Sequence, residues 1–176
     1  MDPVWIIAII IWAFLIAYII TWIVIGFIGA PWVPTDIETI NKMLVMADVK
    51  PGEVLYDLGS GDGRVIIEAS KKYQARSVGV ELNPIMVLWA NLKIASSGLM
   101  GKAKVVRSNF FSTDLRKADV ITLYLLQTTN ERLEPKLKKE LKQGSRVVSH
   151  VFKFKDWSPT KEDPEAQIYM YTVGND

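Results

Sequence analysis

Asp57-Leu58-Gly59-Ser60-Gly61-Asp62-Gly63-Arg64 closes the apolar run Val54–Leu58 and leads into a helical stretch, Arg64–Tyr73. Three glycines at alternate positions let the backbone approach a ligand closely, at the carboxyl edge of a doubly wound sheet where such ligands bind. The spacing discriminates between ligands. A dinucleotide fingerprint beginning at Gly59 needs Gly or Ala at position 64, where this chain has Arg64. A phosphate-cradling loop needs Gly-Lys-Ser/Thr, which is absent.

On either side of this loop, short apolar runs alternate with helical stretches. Val54–Leu58, Ser77–Val80, Lys104–Val106, Val120–Tyr124 and Arg146–Val151 are short enough to be buried strands. Between them, Arg64–Tyr73 reads as a helix, and Pro84–Ser97 as another with Asn83 as its cap and Pro84 at its first position. Asn130–Lys142 reads as a third, interrupted at Pro135 and closed by Gly144. Alternation of this kind predicts an α/β, mostly parallel, doubly wound sheet with helices on both faces. Gln167–Val173 reads as a last, antiparallel strand, and Trp157–Glu165, with Pro159 and Pro164, leaves little room for a sixth. Upstream, Thr35-Asp36-Ile37-Glu38 matches a capping box with Thr35 as the cap of a helix.

The amino-terminal stretch has a different composition. Val4–Ala30 holds 27 residues without a charge, 24 of them apolar. Outside it the apolar share falls from 49% to about 42%, ordinary for a soluble domain. Residues 1–30 are therefore expected to form one transmembrane helix and residues 31–176 one globular domain. The run is too long for a cleaved signal peptide, and Met1-Asp2-Pro3 supplies no basic start. Trp5 and Trp32 suit the two membrane interfaces, while Trp12 and Trp22 face lipid or a partner helix. Lys42 and Lys50, on the far side of the run, place the domain in the cytoplasm by the positive-inside rule, or in the mitochondrial matrix for a eukaryotic source. The absence of cysteine excludes a disulfide scaffold and a thiolate metal site, and a net charge of +2 provides no footprint for nucleic acid.

The pattern D-x-G-x-G-x-G resembles the first motif of the class I, seven-strand methyltransferases, a Rossmann-like fold whose cofactor is S-adenosyl-L-methionine. Further stretches resemble one small family within that group: Trp32-Val33-Pro34-Thr35, Gly79-Val80-Glu81-Leu82-Asn83, Tyr124-Leu125-Leu126, Asn130, Pro135-Lys136-Leu137 and Gly144–His150. These are the archaeal broad-specificity protein lysine methyltransferases and their mitochondrial relatives. The resemblance covers residues 31 to 157, with Gln127 and Asp36 as departures. It implies a seven-strand sheet with an abbreviated sixth strand, and methylation of lysines on membrane-associated proteins. It also implies cofactor contacts from Thr35, Asp57, Gly59, Gly61, Gly63, Glu81, Asn109, Phe110 and Leu126. Within that set, Glu81 accepts bonds from the ribose hydroxyls and Asn109 from the adenine amino group, with Phe110 against the ring.

Methyl transfer to an amine requires the neutral amine. With an ordinary lysine pKa of ~10.4, presenting that form at pH 7 costs about 4.6 kcal/mol. An apolar channel and a nearby positive sulfur both lower that pKa, so positioning rather than a strong base is expected. Tyr124, His150 and Trp157 are the candidate catalytic residues. Each has a plainer alternative: Tyr124 fills space, the lone His150 orients a loop, and Trp157 belongs to the core. Leu125-Leu126-Gln127-Thr128 stands where adenine and glutamine methyltransferases carry Asn/Asp-Pro-Pro-aromatic, which counts against those substrates. Two rival functions stay open: methylation of a small or lipid amine, and a membrane module that binds the cofactor without turnover.

Overall fold

Every strand expected between Val54 and Val151 forms: the first with the expected bounds, the second and third a residue longer at each end, the fourth and fifth a residue shorter. The computed structural model describes the backbone of residues 3–28 and 33–174, and the side chains of these except 22–28. In chain order the elements are α1 (Pro3–Ile28), α2 (Ile37–Met46), β1 (Val54–Leu58), α3 (Arg64–Lys72), β2 (Arg76–Glu81), α4 (Pro84–Ser96) and β3 (Ala103–Arg107). They continue with β4 (Val120–Leu123), α5 (Gln127–Glu140), β5 (Arg146–His150), β6 (Lys161–Asp163) and β7 (Ile168–Thr172).

The strands make one seven-stranded sheet in the order β3-β2-β1-β4-β5-β7-β6. The first five run parallel, and β7 inserts antiparallel between β5 and the three-residue β6. The order reverses between β1 and β4, which puts the glycine loop at the point where ligands bind in open sheets.

The two faces are covered unequally. Ile40, Met43 and Leu44 of α2, Val65, Ile66 and Ala69 of α3, and Ala90 and Ile94 of α4 bury one face. Among the described residues α5 is the only helix on the other face, through Leu133 and Leu137. Irregular segments complete it with Phe110, Leu115, Ala118, Phe154 and Trp157. The alternation of strands and helices predicts helices on both faces but does not reveal how unevenly they are shared out.

Local chemistry sets three boundaries apart from the sequence expectation. The cap of α2 is Asp36, not Thr35: its carboxylate accepts from Thr39 N at 2.9 Å and from Thr39 Oγ1 at 2.7 Å. Glu38 pairs instead with Lys42 at 2.9 Å, so no reciprocal capping box forms. α5 starts three residues earlier than expected and passes through Pro135 unbroken, its buried Leu133 and Leu137 holding the turns on either side. Val151, at φ 71°, ends β5 one residue early.

The amino-terminal apolar run forms a helix at Pro3–Ile28, about 39 Å long at 1.5 Å per residue. Residues 3–21 have a mean hydropathy of 2.7, and none of that window is buried. The Thr21 hydroxyl is satisfied within the helix, bonding back to the Ala17 carbonyl at 2.8 Å. The expected end at Ala30, the interfacial Trp32 and the Trp22 side chain lie outside the described residues.

Candidate active site

Gly59, Gly61 and Gly63 all take positive φ, at 82°, 51° and 78°. The turn they make is tight: Gly59 N and Ser60 N both donate to the Val80 carbonyl, and Gly63 N donates to the Ser60 carbonyl at 2.9 Å. Neighbours crowd it as well. A Cβ on Gly59 would come 3.0 Å from Leu125 Cδ2, and one on Gly63 3.1 Å from the Ala90 Cβ. Gly79, opposite Asp57 in the sheet, makes room for the loop, since a Cβ there would lie 2.5 Å from Ser60 Oγ. Ser60 is buried, and its hydroxyl has no partner among the described residues.

Three carboxylates surround the turn, each with a different task. Glu81, at the end of β2, accepts from Gly61 N at 2.9 Å through Oε2, and from Leu82 N and Asn83 N at 2.8 Å through Oε1. It thereby ties the glycine loop to the start of α4. Asp57 is fully enclosed and accepts from Thr122 Oγ1 at 2.8 Å. Burial pushes its pKa up to about 7, with Glu81 and Asp62 adding to the rise and the Thr122 bond opposing it. Asp62 is the opposite case: burial raises its pKa, but Arg64 and Lys93 outweigh that and hold it down at about 2. Its partners reach it at 2.9 and 2.8 Å. The same Arg64 donates through Nη1 to the Thr35 carbonyl at 2.8 Å, so the chain entering the domain is fastened to the loop.

Past β4 and β5, Tyr124 and His150 stand together, ring centroids 4.5 Å apart. His150 is half-buried with Nδ1 unpaired among the described residues. Burial lowers its pKa, against the pull of the nearby Asp36 carboxylate, so the imidazole is neutral at pH 7. Asn130 fixes the chain that carries it: its Nδ2 donates to Ser149 Oγ at 3.1 Å and to the Phe152 carbonyl at 3.0 Å. Leu126 is exposed at the start of α5, where its carbonyl accepts from Thr129 N and Asn130 N.

Three of the expected site residues also serve the fold. Asn109 Oδ1 already accepts from Phe111 N at 2.9 Å, closing a turn, and Phe110 is buried in the second-face core. Trp157 makes no ring contact with Tyr124 or His150 among the described residues. It is 4% exposed and packs against Phe154 and Tyr171, with ring centroids at 5.6 and 5.2 Å, the core alternative that its sequence position leaves open. Conversely, sequence reasoning misses the contacts that run from Thr35 through Arg64 and Asp62 to Lys93, and the Thr122–Asp57 bond. For the first of these the Asp62-Gly63-Arg64 spacing is the available signal, because an acid two residues before an arginine at a helix start readily folds back onto it.

Known proteins are similar to this chain in sequence and fold. The model of the ANTKMT methyltransferase domain matches residues 57–161. A protein-lysine N-methyltransferase of Saccharolobus islandicus is 42% identical over 151 residues, 82% of this chain and 94% of that one. The adenine nucleotide translocase lysine N-methyltransferase of Mus musculus is 30% identical over 81% of this chain, which spans 63% of that protein's length. Among solved structures, an RNA methyltransferase from Salinibacter ruber in complex with S-adenosyl-L-homocysteine superposes with a TM-score of 0.79 at 37% identity, covering 82% of this chain and 95% of that one. Taken with the seven-strand sheet and its glycine loop at the switch point, these matches place the chain in the ANTKMT methyltransferase family, among S-adenosylmethionine-dependent protein-lysine N-methyltransferases.

Proposed function

We propose that this chain is a membrane-anchored enzyme that methylates lysine side chains on proteins in or beside the bilayer. The carrying observation is the short link between the apolar helix and the cofactor edge. Only residues 29–34 separate Ile28 from Thr35, whose carbonyl is bonded to Arg64 at the start of α3. Fully extended, the seven steps from Ile28 to Thr35 span at most ~25 Å. A lysine within that distance of the membrane surface is therefore within reach.

The site residues suit the cofactor. The loop at Gly59, Gly61 and Gly63 brings the backbone close without side chains in the way, and the Ser60 hydroxyl is an unused polar group beside it. Glu81 holds Gly61 N and has remaining acceptor capacity for ribose hydroxyls. Asn109 Oδ1 accepts from Phe111 N and keeps a second lone pair for the adenine amino group. Phe110 acts as packing within the core, and Thr35 by its backbone. When bound, S-adenosylmethionine supplies a methyl group on a positively charged sulfur, which an amine displaces in line.

Tyr124, Leu126 and the neutral His150 guide the amine. An imidazole without charge avoids repelling an incoming lysine and leaves the apolar surroundings to favour the neutral amine. Asn130 and Ser149 act indirectly, by fixing the strand end from which His150 projects. Trp157 acts at greater remove, as core beneath that segment.

A substrate on RNA is the second reading, supported by the name of the Salinibacter protein. Against it stand a net charge of +2 and the sequence Leu125-Leu126-Gln127-Thr128 after β4. The test is to incubate the detergent-solubilised full chain with methyl-labelled S-adenosylmethionine and separated membrane, soluble and RNA fractions, then hydrolyse each. Methyl-lysine from the membrane fraction is expected. Label in RNA or lipid would replace the substrate class, and cofactor binding without label would point to a non-catalytic module.

A further inference from the structure

The residues of α4 divide sharply between two sides. Ala90 and Ile94 bury one against the sheet. Asn91 reinforces that docking by serving the edge strand β3: it accepts from Val105 N at 3.0 Å and donates to the Val105 carbonyl at 2.9 Å. With the inner side fixed, Ile85, Leu88, Trp89 and Leu92 face outward at 53, 63, 56 and 55% exposure. They recur at i, i+3, i+4 and i+7, a continuous apolar stripe on the solvent side. Met100, in the turn after the helix, is also exposed, at 75%. An apolar stripe of this extent on a soluble surface marks a contact.

Charge selects the occupant. From Leu82 to Thr113 the chain has four basic residues and no acidic one. Lys93 is paired with Asp62, whereas Lys102 and Arg107 are exposed and form no ion pair among the described residues. Lys102 lies in the turn that carries Met100, and Arg107 follows Ala103 and Val105 on the strand face that α4 covers. Thr35 is linked to α4 too, through the contacts from Thr35 to Arg64, to Asp62 and to Lys93.

We propose that the outward stripe of α4 is a second membrane contact, which lies in the headgroup region of an anionic bilayer beside the tether. Trp89 suits that depth, with an apolar ring and an N–H for the polar side. Such a contact holds the domain in one orientation on the bilayer and presents the edge that bears Glu81 and the glycine loop at a fixed height. It rests on the reading of α1 as the membrane anchor.

The chain lacks cysteine, so single introduced cysteines carry a spin label without interference. Three variants of the full chain are reconstituted in vesicles of equimolar phosphatidylcholine and phosphatidylglycerol: Ile11→Cys in α1, Leu88→Cys in the stripe, and Lys139→Cys on the exposed side of α5. Collision with oxygen, enriched in lipid, is compared with collision with a water-soluble nickel chelate. The expected result is that labels at 11 and 88 favour oxygen several-fold while the label at 139 favours nickel, and that the preference at 88 weakens in phosphatidylcholine alone. A label at 88 that behaves like that at 139 while 11 reads as lipid would overturn the α4 contact and leave the anchor standing. A label at 88 shielded from both reagents would assign the stripe to a protein partner, a second copy included, and overturn the membrane contact. A label at 11 that reads as water would overturn the anchor itself.

Discussion

Asp57 shows how one buried carboxyl couples the site to stability. Its native pKa of about 7 exceeds the ordinary value of 3.8, so the folded chain retains a proton that the unfolded chain releases. Stability contributed by that proton is complete below pH ~3.8 and is withdrawn as pH rises to ~7. Asp57→Asn, which keeps an acceptor for Thr122, removes the loss. Urea midpoints should therefore show the variant gaining on the parent between about pH 5 and pH 7.5, by more than ~1.4 kcal/mol. His150 makes a separate prediction. As a neutral positioning group it tolerates His150→Gln with turnover within about tenfold of the parent, whereas a general base contributes about 10²–10⁴-fold. Single-turnover rates on a lysine peptide distinguish the two.

Elements hold these residues in place through contacts that extend beyond the site. β2 passes under the glycine loop at Gly79, so Gly79→Ala displaces Ser60 and is expected to weaken S-adenosylmethionine binding about tenfold, measured by calorimetry. The end of β5 depends on α5 through Asn130. Asn130→Ala removes one of two donors to the Phe152 carbonyl, the Ser149 hydroxyl remaining, and should cost ~0.5–1.5 kcal/mol in denaturant unfolding. Much of this level is legible in the sequence: the strands announce themselves as short apolar runs, and the glycine spacing separates this loop from two commoner ones. The cap of α2 differs by one residue because Thr35 and Asp36 are both good caps, and only the fold reveals that the Asp36 carboxylate reaches Thr39. The stripe on α4 is hidden for a related reason. A helix apolar on two sides reads as core, and which side the sheet covers is decided by Asn91 and Val105, 14 positions apart.

The whole molecule combines a cofactor edge with an apolar helix a few residues away. Neither element explains the other alone: the domain has a complete sheet and core without α1, and α1 carries no charged side chain that would serve catalysis. Their closeness in sequence is the informative fact, since a tether of six residues keeps a site near a surface while a long linker does not. Trp157 belongs to this scale as well. Its sequence position after β5 suits a channel wall, but the second face has only one helix among the described residues, and Trp157, Phe154 and Tyr171 together fill the space beside it. Such a role follows from the uneven layers, and the local sequence offers it as the alternative to a channel wall. Anchoring raises the local concentration of a membrane target, by factors that reach ~10²–10⁴ in tethered systems.

The decisive comparison is between the full chain in vesicles and residues 31–176 alone, each given labelled S-adenosylmethionine with a membrane fraction and, separately, a soluble lysine peptide. The shortened protein should methylate the peptide as well as the full chain does and the membrane fraction at least about tenfold more slowly. Equal methyl-lysine formation on the membrane fraction, with the peptide rate also unchanged, would contradict a function built on proximity to the bilayer.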